Sequence, residues 1–322
     1  MVKKLKKHLV AGIIISVIIY LGFSVYTDFN SVVSSFLLFN WILFPVILLT
    51  SLLNYLFRFI KWHYYLKILK INVPLVKSFL IFLSGLAMSV TPGKMGELLK
   101  SYFLKEMYNE SFSKSSSIII TERITDFISL VMLAMVGVYF FDYGKVIVYV
   151  TGLFFLITVL IISNRKLSIY FIELLEKINL VKKFIPRLKS FYEASYNLLK
   201  LKPLFNATVI SLAAWFFECF GFYLVLTNFD NSITLLWALF VYTFSTIAGA
   251  ITMLPAGIGV TEGSLSFLLI ENGLSESYAV ASTILIRIAT LWFAVFIGLL
   301  GLLKLKKFLS NKEIDVTDLR NF

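Results

Sequence analysis

Long apolar stretches separated by short polar or basic stretches fill most of the chain. A helix needs about 20 predominantly apolar residues to cross the hydrocarbon layer of a bilayer. The stretches that meet this length are 8–26, 36–60, 116–141, 146–163, 204–226 and 277–303. Because a single segment in lipid satisfies its backbone hydrogen bonds only as a helix, the pattern predicts an all-α polytopic membrane protein with six full spans.

Two further apolar stretches, 75–110 and 233–272, are interrupted near their middle by proline and glycine. Their second arms are short or polar, which favours re-entrant helical hairpins over full crossings. Such irregular backbone must pack inside protein or line a wet cavity. The residues that the two breaks need for backbone shape are Thr91, Pro92, Gly93, Gly96, Pro255, Gly257 and Gly259.

The two interrupted stretches share an order of landmarks. The matched pairs are Pro92 with Pro255, Glu97 with Glu262 and Arg123 with Arg287, at offsets of 163, 165 and 164 residues. Nearly equal offsets predict an internal duplication, each copy with two spans, a re-entrant hairpin and a further span. The predicted domains are 1–145, 146–305 with a basic cytosolic loop at 164–202, and a cytosolic tail at 306–322. Paired breaks of this kind are typical of transporter sites.

The basic residues are distributed asymmetrically between the predicted loops. If both hairpins return to the face they enter from, one side of the membrane holds 26 of the 30 Lys and Arg residues. By the positive-inside rule this side is cytoplasmic, so we expect a plasma-membrane protein with both termini in the cytoplasm. Three crossings separate the hairpins, so they enter from opposite faces and the repeats have inverted topology. The net charge of +12 then reflects orientation, and no nucleic-acid partner is expected.

The loop 164–202 allows two interpretations. It contains nine Lys or Arg against Glu173, Glu176 and Glu193, and parts of it alternate apolar and polar residues with helical spacing. Amphipathic helices on an anionic inner leaflet would explain this pattern. A solvated linker between the repeats would explain it equally well.

The composition excludes several classes of protein. With 59% hydrophobic residues, 15% charged residues and a mean hydropathy of +0.88, the chain is not an ordinary soluble domain. Cys219 is the only cysteine, and His8 and His63 are the only histidines, so we expect no metal site and no cofactor. The phosphate-binding and dinucleotide-binding glycine motifs are incomplete. We therefore expect a protein that is not an enzyme.

Ionisable residues at membrane depth are costly and usually pair or serve transport. The predicted substrate-binding residues are Lys94, Glu97, Glu122, Arg123, Asp126, Glu262 and Arg287. A break exposes the N-terminus of a half-helix, which favours an anion such as phosphate. The structural alternative is that Glu97 and Glu262 satisfy helix N–H groups, or pair with the arginines. Glu218 is expected to be neutral and hydrogen-bonded, and Asn54 and Arg58 to be interface anchors.

At TPGKMGE, TERITDF and LPAGIGVTEG the sequence resembles the membrane region of the lysylphosphatidylglycerol synthase family, over about residues 8–305. The resemblance implies inverted repeats with re-entrant helices and movement of a lipid between leaflets. That lipid is aminoacylated phosphatidylglycerol in two-part bacterial members and is associated with polyprenyl-phosphate-linked sugars in archaeal relatives. No aminoacyl-transfer domain follows the last span, so we expect no synthesis of aminoacyl lipid.

These observations predict a lipid flippase that moves a phospholipid or a polyprenyl-phosphate-linked sugar between leaflets. The expected partner is a membrane lipid with an anionic or zwitterionic headgroup. The sequence is also compatible with a homo-oligomer. One alternative is a membrane enzyme that acts on a lipid phosphate with Glu122 or Asp126 as general base. The other is a non-transporting protein that presents lipid to a separately encoded transferase.

Overall fold

The computed structural model describes Gly22 and residues 28–141, 144–178, 182–230 and 232–310, except the side chains at 92–94, 140 and 308–310. The predicted first span at 8–26, most of the predicted tail and the side chain of Lys94 lie outside this description. The described residues form helices and connecting turns and contain no strand. The prediction of an all-α membrane fold is confirmed.

The described helices follow one another with short connections. They are α1 Phe29–Leu38, α2 Phe44–Ile68, α3 Leu75–Leu86, α4 Leu99–Tyr108, α5 Phe112–Phe140, α6 Lys145–Ser163, α7 Arg165–Glu176, α8 Ile185–Leu198, α9 Leu201–Thr227, α10 Leu235–Ile251, α11 Val260–Glu271, α12 Glu276–Arg287 and α13 Phe293–Ser310. Several begin at a polar N-cap whose side chain accepts a hydrogen bond from the first turn. These caps are Asp28, Ser111, Asn164, Thr234 and Ser275.

Four helical segments of the described chain are long and apolar enough to cross a membrane: Trp41–Ile68, Lys145–Ser163, Leu201–Thr227 and Glu276–Lys307. They coincide with four of the predicted spans. Helix α5 contains the predicted span 116–141 and is 29 residues long, although it carries several charged residues. The predicted span 36–60 differs most from the structure, because its first residues end α1 and form a turn at Asn40 before α2 begins.

Both interrupted stretches fold as helix, break and helix. In the first, a 3₁₀ segment, Pro92–Leu98, separates α3 from α4, each too short to span a bilayer. In the second, Pro255–Gly257 separates α10 from α11. The second break contains positive φ angles at Met253, Ala256, Gly257 and Gly259, which a regular helix cannot accommodate.

The two hairpins begin at opposite ends of the helix bundle. Helix α3 follows the C-terminal end of α2, where Leu305 of α13 packs against the α2–α3 connection; we call this the basic end. Helix α10 follows the C-terminal end of α9, where the Asn40 N–H donates to Asn228 and Phe229 stacks on Tyr278. We call this the far end.

Small residues allow the central helices to approach closely. A Cβ atom on Gly298 of α13 would lie 2.1 Å from the backbone nitrogen of Ala87, at the end of α3, and one on Gly137 of α5 would lie 2.3 Å from Phe240 of α10. In α2, Asn54 donates to the Ala214 carbonyl of α9 at 2.8 Å. Close backbone packing and buried polar contacts of this kind hold helices together in lipid.

The two breaks, Pro92–Leu98 and Pro255–Gly257, contact each other at the centre of the bundle. Nearby, Val90, Leu291 and Val295 form a small buried cluster with Ala256 packed against it. The fold therefore brings the two proline-glycine corners together from opposite ends. The duplication itself, and the division at residues 145 and 146, stay predictions.

Candidate functional site

Glu97, in the first break, is the centre of a buried group of cations. Its carboxylate accepts a hydrogen bond from Nη2 of Arg123 on α5. Nη2 of Arg58 on α2 and Nζ of Lys100 on α4 each lie 3.6 Å from its oxygens. Glu97 thus forms charged contacts with side chains on α2, α4 and α5.

Two more buried carboxylates, both on α5, extend this group. Glu122 and Asp126 are four residues apart and so lie on one face of the helix. Lys100 donates to Glu122 at 2.6 Å, and Lys61 on α2 donates to Asp126 and to Ser211 on α9, the latter at 2.6 Å. Lys61 is 1% exposed and Lys100 is 2% exposed. Removing one partner of such a pair leaves an uncompensated buried charge, which is strongly destabilising.

The second break holds a simpler version of the same pairing. Glu262 lies in the first turn of α11, and its carboxylate accepts a hydrogen bond from the Gly259 N–H at 2.7 Å. Arg287, at the end of α12, donates through Nε to Glu262 at 2.7 Å and through Nη2 to the Ala256 carbonyl at 2.9 Å. Each hairpin therefore has, at or just after its break, a buried glutamate that is paired with an arginine on the helix after the hairpin.

Immediately after Arg287 the backbone forms a π-helical turn, Ile288–Trp292. Such turns are rare and occur frequently at functional sites. The turn leaves the Thr290 carbonyl to accept a hydrogen bond from the Tyr55 hydroxyl at 2.7 Å. This hydrogen bond links α2 to the turn that follows Arg287.

A cavity of about 540 Å³ lies between these groups. Arg58, Arg123 and Arg287 all line it, together with the acidic side chains of Asp126 and Glu218. Within the lining, the Tyr242 hydroxyl donates to Glu218 at 2.8 Å. The cavity wall is therefore polar and charged on the side formed by α2, α5, α9 and α12.

The opposite wall of the cavity is apolar and reaches the outer surface of the bundle. Val150 and Phe154 of α6, with Ile251, Met253 and Leu254 at the second break, line the cavity and are each at least 45% exposed. Helix α6 carries a nearly continuous exposed apolar surface, as expected for a helix that faces lipid. The cavity thus combines a charged interior with an apolar side that faces lipid.

The structure places the predicted site residues in two groups. Arg123, Asp126, Arg287 and Gly257 line the cavity, whereas Glu97, Glu122 and Glu262 lie behind it and pair with cations. The remaining predicted residues shape the breaks. In the first break, for example, the Thr91 hydroxyl accepts from the Gly96 N–H at 2.8 Å. Glu262 both caps α11 and pairs with Arg287, as the structural alternative expects, and its role in binding a substrate stays a prediction.

Sequence reasoning missed several members of the site. Lys61 and Lys100 were not singled out, and Arg58 was assigned to the membrane interface. The structure places all three in the buried charge network. The sequence predicts a hydrogen-bonded Glu218, and the hydrogen bond that it accepts from the Tyr242 hydroxyl confirms this prediction. Among the residues that the structure describes, no group of three or more His, Cys, Asp or Glu side chains could hold a metal ion.

Comparison with known proteins gives a consistent result. A family model described as the lysylphosphatidylglycerol synthase TM region matches residues 9–298. A UPF0104 membrane protein of Pyrococcus horikoshii is 27% identical over 282 residues, covering 79% of this chain and 84% of the relative. A second, from Methanocaldococcus jannaschii, is 27% identical over 213 residues, covering 65% of this chain and 90% of the relative. A third, from Methanothermobacter thermautotrophicus, is 24% identical over 281 residues, covering 80% of this chain and 83% of the relative.

Proposed function

The chain belongs to the lysylphosphatidylglycerol synthase TM-region family, and on this premise we propose that it is a flippase for a phosphate-bearing membrane lipid. It moves the lipid headgroup between leaflets through the cavity between the two breaks. We further propose that it is not an enzyme and that it resides in the plasma membrane with both termini in the cytoplasm.

One observation carries this proposal: Arg58, Arg123 and Arg287 line a single cavity that is apolar on its lipid-facing side. Guanidinium groups bind phosphate through paired, charge-assisted hydrogen bonds. An apolar opening beside α6 lets acyl or prenyl chains stay in the bilayer while the headgroup is inside. The chemistry of the two walls thus matches the two parts of an amphiphilic lipid.

The acidic residues hold the arginines in position before the lipid arrives. Arg123 is held by Glu97, and Arg287 by Glu262. Because a guanidinium group has five N–H donors, each arginine can bind a phosphate in the cavity while it stays paired with its carboxylate. Neither the arginine nor the carboxylate is then left as a lone buried charge.

The two breaks supply a route for alternating access. They meet at the centre and belong to hairpins that begin at the basic end and the far end. Rocking of one hairpin against the other would open the cavity first to one leaflet and then to the other. In this mechanism Arg123 and Arg287 bind the same phosphate in both states.

The test uses proteoliposomes that contain the purified full chain and a lipid with a phosphodiester headgroup that carries a fluorescent label. A membrane-impermeant quencher reports the fraction of headgroups on the outer leaflet. We expect Arg123→Gln and Arg287→Gln each to slow translocation about tenfold or more, because each removes a charge-assisted contact. Arg165→Gln is the matched control, since Arg165 lies on exposed α7 and pairs only with Glu193 among the described residues.

Translocation at the background level by both the wild-type protein and the double variant Arg123→Gln with Arg287→Gln would contradict the proposal. A new lipid species in mass spectra of the same vesicles would instead support an enzyme. Lys61 and Arg123 pair with Asp126, and Lys100 pairs with Glu122, which favours a structural role for these carboxylates over that of a general base. Co-purification of a stoichiometric transferase, with no transport by this chain alone, would favour the lipid-presenting alternative.

A further inference from the structure

Helix α7 begins where the lipid-facing helix α6 ends, with only Asn164 between them. The corner is fixed by two hydrogen bonds. Asn164 caps α7 by accepting from the Leu167 N–H at 3.1 Å, and the Ser168 hydroxyl donates to the Ile161 carbonyl at 2.8 Å. Since α6 is long and apolar enough to span the bilayer, α7 starts at the level of the membrane interface.

One side of α7 packs on the protein. Ile172 lies in a buried cluster with Ile185 and Tyr192 of α8. The Tyr192 hydroxyl donates to the Ile162 carbonyl at 3.1 Å, so α8 is also attached to the end of α6. Two exposed ion pairs, Arg165 with Glu193 and Lys189 with Glu176, also connect α7 and α8. The orientation of α7 about its own axis is therefore set.

A second side of α7 is apolar and exposed. Successive helical residues are about 100° apart around the axis, so positions 167, 171, 174, 175 and 178 form a stripe about 100° wide. The side chains on this stripe are Leu167, Phe171, Leu174, Leu175 and Ile178, each at least 38% exposed. Tyr170 lies at one edge and is 61% exposed. No described part of the chain covers this stripe.

The third side of α7 is charged. Lys166, Glu173 and Lys177 lie between Tyr170 and the side that packs on α8, and Glu173 lines a small cavity with Lys189 and Tyr192 of α8. Three further exposed cations follow, at Lys182, Lys183 and Arg187. An aromatic residue between an apolar stripe and a row of cations is the arrangement of a helix that lies in a membrane interface.

We propose that α7 lies in the plane of the membrane at the basic end and binds anionic phospholipid there. Its apolar stripe enters the upper acyl region, and the phosphate groups contact Lys166, Lys177 and the cations that follow. The stripe begins at Leu167, four residues after the end of α6, and α6 itself has an exposed apolar surface and is long enough to span the bilayer, which favours lipid as the occupant of the stripe over a soluble partner. A solvated linker would not present three separate faces of this kind. This binding surface is independent of the transport proposal.

Site-directed spin labelling of the full chain in vesicles tests the position of α7. In a Cys219→Ala background, a nitroxide on Leu174→Cys reports the apolar stripe and one on Lys166→Cys reports the charged side. We expect the label at 174 to be about 5–10 Å below the phosphate level, with high accessibility to oxygen and low accessibility to a water-soluble nickel chelate. The label at 166 should show the reverse.

Other results would overturn the proposal in distinguishable ways. Equal chelate accessibility at 174 and 166 would mean a solvated linker. Low accessibility of position 174 to both reagents would mean that protein covers the stripe. Dipolar broadening in the same sample would identify that protein as a second copy of the chain.

Lipid selectivity is tested separately by mass spectrometry of lipids retained after mild purification from mixed phosphatidylglycerol and phosphatidylcholine vesicles. Replacing Lys182, Lys183 and Arg187 with Gln should reduce the enrichment of phosphatidylglycerol by up to about fivefold per charge. Lys145→Gln, at the other end of α6, is the control and should leave the enrichment unchanged. Unchanged enrichment in the triple variant would overturn the anionic-lipid part of the proposal.

Discussion

At the scale of single residues, the site consists of arginines that face a cavity and carboxylates that hold them from behind. Arg123 and Arg287 could be selected from the sequence because an arginine in the middle of an apolar span has no solvated position available. Lys61 could not be selected from the sequence, because it lies near the predicted end of a span, where lysine side chains usually extend to the membrane interface. Only the observed extension of α2 to Ile68 places Lys61 deep in the bundle.

The Lys61–Asp126 pair gives a prediction on stability. Asp126→Asn should destabilise the protein by about 3–5 kcal/mol, because it leaves Lys61 as a buried and uncompensated charge. The midpoint of thermal unfolding in detergent measures the change. Glu193→Gln on α8 is the control and should shift this midpoint little, because the Glu193 side chain is 43% exposed.

The double variant Lys61→Met with Asp126→Leu separates charge from packing. If the unpaired charge causes the loss, replacing both partners by apolar side chains should recover most of the stability. A double variant as unstable as Asp126→Asn would show instead that the pair's hydrogen bonds, including that to Ser211, are required.

At the scale of helices, the sequence predicted the existence and position of both breaks, because proline and paired glycines leave few regular alternatives. It did not predict the short helix α1, since Phe29–Leu38 is too short to span a bilayer and contains Asn30 and three serines, which are typical of a loop between spans. Nor could it predict which helices touch. The approach of α13 to α3 depends on the register that brings Gly298 beside Ala87.

This approach gives a prediction on packing. Gly298→Ala should destabilise the protein by about 1–3 kcal/mol, because its Cβ would lie 2.1 Å from the Ala87 backbone nitrogen, which no side-chain rotation can relieve. Thermal unfolding in detergent measures the effect. Gly152→Ala is a suitable control, since a Cβ there meets the mobile ends of Val131 and Met135 at 3.0 and 3.4 Å. Equal midpoints for the two variants would contradict the tight α3–α13 contact.

At the scale of the whole molecule, charge asymmetry and the path of the chain lead to the same arrangement. The sequence predicted hairpins that enter from opposite faces because 26 of 30 basic residues then lie on one side. The structure, which contains no membrane, places the starts of α3 and α10 at opposite ends of the bundle. Which end faces the cytoplasm follows from the charges alone, since packing between helices is the same in either orientation.

Cysteine labelling in intact cells tests this orientation with one position at the end of each hairpin. In a Cys219→Ala background, Glu106→Cys reports the end of α4 and Asn272→Cys the end of α11; both side chains are exposed. We expect a membrane-impermeant maleimide to label position 272 in intact cells and position 106 only after the membrane is permeabilised. This expectation rests on the positive-inside rule, because basic residues flank α4 whereas the loop after α11 carries no Lys or Arg. Labelling of both positions from the same side would mean that one hairpin crosses the membrane completely, and the alternating-access mechanism would then lose its geometric basis.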